Sequence, residues 1–442
     1  QRELLDPATA ALHKALARRS ELTLDSPDYI EGLLAFYAGR FEEADQKAQA
    51  ALAQTPWLSE AAKLRGEVSH AQALSKIGDG KHDEARALLN QAIAHYQLAA
   101  DISRSDGLIS AALARAYMDL SEVDRFQGKP QDQEFAQAKA AAERIVTALP
   151  SDGTGYLERG RVLYFMGRGI QRVGKDPVAT FNQAISDAEQ AIAKNPKDFI
   201  AWDVLGNAYV YRGLHEANHH ADPEPSWRKA EESFAKTLSI APSFPWAHND
   251  FGAGTWFWAN FQRNHGQDPR PRFAQALSHF RRSIATDPKY QFAYSNIVGL
   301  LGESADYGLE HGQDFSALVT DAQHLVQSCG LGCQKQITVQ RNMAILHLTS
   351  GQQALRRGED PRESLSRGRE FLTSLRTLDK NTYMECIYSR YADTFEGEYL
   401  LSVHSDPSDL IQTAISKLSA CKAFDSQAED PFVVEARLSL AL

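Results

Sequence analysis

The sequence predicts an all-α repeat solenoid made of antiparallel helix pairs, and three observations support this prediction. Aspartates recur at an interval of 46 residues between positions 176 and 406, usually with proline directly after them. Columns of large apolar residues and of small residues keep the same 46-residue interval. The composition is 43% hydrophobic and 24% charged, and its abundance of Ala and Leu favours helix. Because 442 residues exceed one compact core of ordinary size, a repeat array is the expected arrangement.

The aspartates predict where the second helix of each pair, helix B, begins. An aspartate side chain accepts hydrogen bonds from the free N–H groups of a first helical turn, and proline suits the first helical position because no N–H is needed there. The series consists of Asp176, Asp222, Asp268, Asp314, Asp360 and Asp406. Proline follows each of them except Asp314, which is followed by Phe315.

Apolar columns predict how helix B packs. Five residues after each aspartate stands a large apolar residue, namely Phe181, Trp227, Phe273, Val319, Leu365 or Ile411. Eight residues after it stands a small one, namely Ala184, Ala230, Ala276, Ala322, Gly368 or Ala414. The spacing of three residues places the two columns on one helix face, so we expect a buried stripe that approaches the partner helix most closely at the small residues.

The interval also predicts the boundaries of the units. We expect an N-terminal helix or cap over residues 1–26 and the start of a terminal helix over 427–442. Between them we expect nine repeats, at 27–56, 57–104, 105–150, 151–196, 197–242, 243–288, 289–334, 335–380 and 381–426, together covering 27–426. In the unit with the clearest ends, helix A is expected at about 154–173 and helix B at about 177–194.

Residues 202–242 carry a family pattern spread over two helices. Its members are Trp202, Leu205, Gly206, Tyr209, Ala230, Phe234 and Pro242. The pattern resembles the tetratricopeptide (TPR) repeat, whose usual unit of about 34 residues is lengthened here between Tyr209 and Ala230. The resemblance implies a right-handed superhelical solenoid whose A helices line a concave groove that binds peptides or protein segments.

The groove positions of the TPR family, transferred to the residues that hold the same place in each repeat of this chain, identify candidate ligand-binding residues. They are Arg161, Tyr164, Phe165, Asp203, Asn207, Tyr211, Asn249, Trp256 and Phe257. The asparagines would pair with a peptide backbone and the rings would hold an apolar side chain. The alternative is that the rings pack the lengthened hairpins together. The family's carboxylate clamp is not reproduced, because its basic positions hold Leu157, Asp203 and Asn249.

One motif in helix A matches the pattern of a zinc-binding site. His215, Glu216 and His219 match H-E-x-x-H, in which two histidines bind zinc and the glutamate is the general base. No further ligand follows at a known spacing, and His219 shares the 46-residue interval with His265 and His311. This favours a repeated turn position, so we predict no metal, no cofactor and no catalytic residue; a zinc hydrolase remains the remote alternative.

Four cysteines are candidates for two disulfides. Two glycines between Cys329 and Cys333 would let the chain close a small ring, and Cys386 and Cys421 fall in columns that face each other within one hairpin. The alternative is four small buried thiols. Bridging would indicate an oxidising compartment.

Charge and hydropathy limit the partners. A net charge of −10 argues against nucleic acid as the main partner, and no run approaches the roughly 18–20 apolar residues of a membrane span. We therefore predict a protein or peptide ligand, without nucleic acid and without membrane insertion in this chain; the oligomeric state is not predicted.

A glycine two residues before several of the aspartates suggests a more specific relationship. Gly174, Gly266, Gly312 and Gly358 occupy this position. The Gly-x-Asp-Pro turn resembles the long TPR tails of bacterial serine/threonine protein kinases. This implies a non-catalytic sensor or regulatory region, placed in the periplasm or outside the cell, of a longer protein whose kinase domain lies outside this chain. The alternative is a free-standing cytoplasmic scaffold that assembles a protein complex.

Overall fold

The computed structural model describes residues 2–18, 26–78, 80–378 and 383–424, and within these ranges the chain is all-helical. The predicted all-α class is confirmed. The chain divides into two compact units, Gln1–Ile240 and Ala241–Leu442.

Unit 1 consists of α1 and five helix pairs. The helices are α1 (Arg2–Ala17), α2 (Pro27–Tyr37) with α3 (Phe41–Gln54), α4 (Ser59–Gly78) with α5 (His82–Ile102), α6 (Gly107–Phe126) with α7 (Asp132–Ala148), α8 (Gly153–Arg172) with α9 (Val178–Lys194), and α10 (Phe199–Asn218) with α11 (Glu224–Ile240). Within each pair the helices lie side by side, and each helix A also contacts the helix A of the next pair from α2 to α10. This is a TPR-like arrangement.

Unit 2 repeats the scheme over its described residues. Its helices are α12 (Pro245–Asn264) with α13 (Arg270–Thr286), α14 (Gln291–Glu310) with α15 (Ser316–Cys329), the short α16 (Leu331–Gln334), α17 (Ile337–Arg356) with α18 (Arg362–Leu378), and α19 (Tyr383–Ser402) with α20 (Ser408–Phe424). The A helices α12, α14, α17 and α19 contact one another in succession. The predicted terminal helix over 427–442 lies outside the described residues.

Each aspartate of the series hydrogen-bonds the start of helix B, although the N-cap itself is the next residue, as at Pro177 and Pro269, and not the predicted aspartate. Its Oδ1 accepts the backbone N–H of the residue two positions later, at 2.9 Å for Asp176 and 3.0 Å for Asp222. The same bond measures 2.8–3.1 Å at the other four aspartates. The helix that follows Asp176 begins at Val178, one residue after the predicted start, and the carbonyl oxygen of Pro177 accepts its first hydrogen bond, from the N–H of Phe181 at 2.9 Å.

In several pairs a large side chain of helix B lies directly on a glycine of helix A. A Cβ built on Gly213 would lie 2.6 Å from Nε1 of Trp227, and one on Gly167 would lie 2.5 Å from the ring of Phe181. The small column of helix B, such as Ala184, is fully buried as well. The large column therefore needs a small residue opposite it on helix A, which the columns of helix B alone did not predict.

The turn between helices A and B contains a residue in the left-handed region in pair after pair. In most pairs this residue is glycine, as at Gly174 with φ of +72°. His220 and His404 occupy the same place with φ of +58° each. A side chain with a Cβ is strained at such a φ, whereas glycine is not.

We expect His220→Gly to raise the free energy of unfolding of unit 1 by about 0.5–1 kcal/mol, because relief of the strain exceeds the larger entropy of an unfolded glycine. The matched change is Gly174→Ala, which creates the same strain one repeat earlier and should cost about 1 kcal/mol. Urea unfolding followed by circular dichroism measures both. A stabilised Gly174→Ala protein would contradict the explanation.

Candidate functional site

Six predicted groove residues belong to unit 1 and lie on α8 and α10; the face of α6, α8 and α10 to which they belong is called the A-helix surface. They are Arg161, Tyr164 and Phe165 on α8, and Asp203, Asn207 and Tyr211 on α10. Arg161, Phe165 and Tyr211 are partly buried there, whereas Tyr164, Asp203 and Asn207 are buried. The hydroxyl of Tyr164 donates to Oδ1 of Asn207 at 3.5 Å, and the rings of Tyr164 and Tyr211 are 5.7 Å apart. These contacts join consecutive A helices.

Asn207 turns inward instead of presenting its amide to a ligand. The side chain is only 5% exposed, and its Nδ2 donates to the backbone carbonyl of Asp203 at 3.1 Å. A second donation reaches the Asp203 carboxylate at 3.4 Å. The amide therefore supports the packing of α8 on α10, while pairing with a peptide backbone stays a prediction.

Arg168 holds the centre of this surface, although the columns did not predict it. Its Nη1 donates to the hydroxyl of Tyr164 at 3.0 Å. Its guanidinium carbon lies 4.4 Å from the ring centre of Tyr211 and 5.6 Å from those of Tyr164 and Phe165. Aromatic faces attract a cation at such distances. The sequence feature that could have identified Arg168 is its spacing, since Arg168 follows Tyr164 by four residues and so shares its helix face.

A second charged group lies further along the same surface. Glu158 of α8 is 2% exposed and accepts from Nη2 of Arg115 on α6 at 2.8 Å. Its other oxygen pairs with Nη1 of Arg161 at 3.3 Å. One buried carboxylate thus serves two guanidinium groups, and each arginine keeps further N–H donors for other partners.

The three candidates in unit 2 lie on α12 and serve mainly the contact with α14. Oδ1 of Asn249 accepts from Asn296 at 2.8 Å, and Nε1 of Trp256 donates to Glu303 at 2.7 Å. Burial raises the pKa of Glu303, although the hydrogen bond from Trp256 opposes this shift. Phe257 is partly buried on the same helix. These contacts favour the packing alternative for Asn249 and Trp256.

The H-E-x-x-H residues form the end of helix α10. A ring nitrogen of His219, Nδ1, hydrogen-bonds the carbonyl oxygen of His215 at 2.8 Å, and His265 and His311 make the same bond at 2.8 Å one and two repeats later. Oε2 of Glu216 accepts from Ser226 at 2.6 Å. The repeated bond favours a structural turn position over a zinc site.

Among the described residues, no group of three or more His, Cys, Asp or Glu side chains is placed to hold a metal ion. Burial, followed by repulsion from His219, lowers the pKa of His215.

Among the described helices, none combines the length and hydropathy required to cross a membrane.

Both candidate cysteine pairs are bonded in the structure. The sulfurs of Cys329 and Cys333 are 2.08 Å apart and link the end of α15 to α16. The sulfurs of Cys386 and Cys421 are 1.97 Å apart and link α19 to α20. Both bonds lie in unit 2, away from the A-helix surface of unit 1 in sequence.

No protein-family model and no curated protein matches the chain. Among solved structures, a human IFIT1 dimer with PPP-AAAA is 14% identical, over 98% of this chain and 94% of that one, with a TM-score of 0.46. TTC0263, a thermophilic TPR protein of Thermus thermophilus, is 17% identical over 52% of this chain and 94% of its own, with a TM-score of 0.35. YrrB, described as a TPR protein with an unusual peptide-binding site, is 15% identical over 56% of this chain and 95% of its own, with a TM-score of 0.29. These TM-scores are low, so the TPR-like assignment rests on the helix pairs themselves.

Proposed function

We propose that this chain is a non-catalytic module that binds a protein or peptide segment on the A-helix surface of unit 1. The observation that carries the proposal is the convergence of aromatic and arginine side chains from α8 and α10 on one patch around Arg168. Phe165 and Tyr211 are only partly buried there. Partly exposed rings beside arginine are the side chains that most often anchor protein ligands.

We further propose a role as the sensor or regulatory region of a bacterial serine/threonine kinase, with a cytoplasmic scaffold as the alternative. The two disulfides support the first role, because bonds of this kind persist in oxidising compartments such as the periplasm. The natural gene separates the two roles. A kinase domain and an apolar span encoded before Gln1 would support the sensor, and a native start near Gln1 together with reduced cysteines would support the scaffold.

Selection of a random peptide library on the purified chain tests the binding function. We expect Phe165→Ala and Tyr211→Ala each to weaken the selected peptides at least about tenfold, since aromatic anchors contribute more than 1 kcal/mol when truncated. The matched control is Leu98→Ala on α5, a B helix, where the side chain is 44% exposed. Fluorescence anisotropy gives the Kd values, and circular dichroism confirms that each variant folds.

Two results would contradict the proposed function. One is a library that yields no peptide with saturable binding. The other is a set of peptides whose Kd responds to Leu98→Ala and not to Phe165→Ala or Tyr211→Ala, because this would place the binding site on the B helices.

A further inference from the structure

Three arginines and one carboxylate lie near the C-terminal ends of α6 and α8, namely Arg125 and Glu122 on α6 and Arg168 and Arg172 on α8. Nε of Arg125 donates to Glu122 at 2.8 Å, and a second bond from Nη2 completes this pair. Arg168 donates to a phenol, as described above. Nε of Arg172 donates to the backbone carbonyl oxygen of Arg168 at 3.4 Å. The carboxylate of Glu122 acts electrostatically on both Arg168 and Arg172.

The guanidinium group of Arg172 is close enough to those of Arg125 and Arg168 to be repelled by both. Burial, followed by repulsion from Arg125 and Arg168, lowers the pKa of Arg172. Three guanidinium groups beside the carboxylate of Glu122 concentrate positive charge in a chain whose net charge is −10. Like charges held together in a partly buried site raise the free energy of the empty surface, and an anion bound there would lower it.

A structural explanation accounts for only part of this arrangement. Cations in a last helical turn interact favourably with the helix dipole, which suffices for Arg125 and Arg172 taken singly. Arg168 lies a turn earlier and is surrounded by aromatic rings. Nor is it a repeated feature of the fold, because the equivalent positions at 46-residue steps hold Leu214, Asn260, Asp306, Gln352 and Glu398.

The positive charge continues along α8. Arg161, Arg168 and Arg172 are seven and four residues apart, so they lie on one face of the helix. Arg161 shares the buried Glu158 with Arg115, so this group too has more guanidinium than carboxylate. Eleven residues of helix span about 16 Å, which is the length of about five residues of extended chain.

We propose that Arg125, Arg161, Arg168 and Arg172, the arginine track, bind the carboxylate side chains of an acidic, extended protein segment. The inference rests on the proposed function and specifies the chemistry of its ligand. Guanidinium groups match carboxylates geometrically and can pair with them through two N–H donors. A nucleic acid fits less well, because its affinity depends on many phosphate contacts, more than a track of four arginines supplies.

A labelled deca-glutamate peptide is the probe, with deca-glutamine as the uncharged comparison. We expect the chain to bind deca-glutamate and not deca-glutamine, with a Kd that rises between 50 and 200 mM KCl, roughly the range over which such contacts are screened. Arg172→Gln should raise the Kd about tenfold, since it removes one charged hydrogen-bonding group. Arg172→Lys should recover part of the loss.

The matched control is Arg367→Gln on α18, which removes the same charge from an exposed arginine that pairs with Glu363 at 3.1 Å. It should leave the Kd for deca-glutamate unchanged. Equal losses in the Arg367→Gln and Arg172→Gln proteins would overturn the proposal, because they indicate attraction to overall charge. Failure to bind deca-glutamate would overturn it too, as would tighter, Arg172-dependent binding of deca-adenylate RNA.

The test separates this inference from the proposed function. Library-selected peptides that need Phe165 and Tyr211, lack acidic residues and are insensitive to Arg172→Gln would leave the proposed function intact and remove the arginine track. Loss of all saturable peptide binding would remove both.

Discussion

Trp227→Ala is expected to lower the free energy of unfolding of unit 1 by about 3–5 kcal/mol, which is the usual cost of truncating a large buried ring. Trp227 on α11 is 1% exposed and lies directly on Gly213 of α10. Its Nε1 donates to the backbone carbonyl of Val210 at 3.2 Å. The alanine would leave a cavity that the two helices cannot close, because neither α10 nor α11 can move without disturbing its other neighbours.

Trp57→Ala is the matched control for this prediction, since Trp57 also belongs to unit 1 but is 74% exposed. It should change the free energy of unfolding by no more than about 0.5 kcal/mol. Urea unfolding is best followed by circular dichroism, because each change removes a fluorophore. Similar small losses in the two variants would mean that the ring-on-glycine contact does not hold the pair together.

Replacing Cys386 and Cys421 together by alanine is expected to lower the free energy of unfolding of unit 2 by about 4 kcal/mol. The bond links α19 to α20 across 35 residues, and a cross-link stabilises mainly by restricting a loop of this length in the unfolded chain. The bond between Cys329 and Cys333 closes a loop of only 4 residues, so replacing both cysteines by alanine should lower the free energy of unfolding by about 2 kcal/mol. Alanine is chosen because serine would bury a hydroxyl at Cys421, which is 0% exposed.

The comparison between the two cysteine pairs is the decisive measurement. Equal losses, or a greater loss for the 329–333 pair, would contradict the loop-length argument. A thiol count on denatured, unreduced protein provides the chemical control. Four free thiols in protein isolated from an oxidising compartment would contradict both bonds and the proposed periplasmic or extracellular location.

The sequence predicted the architecture well because its signals are local and repeated. Asp176 and its equivalents start helix B through a bond to a residue two positions away, so the aspartate alone identifies the place. The large and small columns of helix B are three residues apart and are buried as expected. Helix A was predicted at 154–173 and lies at Gly153–Arg172, a difference within the usual fraying of helix ends.

The candidate site was predicted less completely, because its residues depend on neighbours one repeat away. The 46-residue columns placed Tyr164 and Tyr211 at neighbouring positions of consecutive A helices, and their rings are in contact. The columns did not show that Asn207 is buried or that Arg168 lies among the rings. A column search looks for residues that recur, and Arg168 does not recur.

The sequence by itself thus determined the helix pairs, their 46-residue interval and the residues that begin helix B, since each depends on contacts within a turn or a single pair. Only the tertiary structure decided which A-helix side chains serve packing, as Trp256 does through Glu303, and which gather into a charged surface, as Arg168 and Arg172 do. The physical reason is that burial and charge balance on an A helix are set by the A helices before and after it, 43–47 residues away, as the Tyr164–Asn207 and Trp256–Glu303 contacts illustrate.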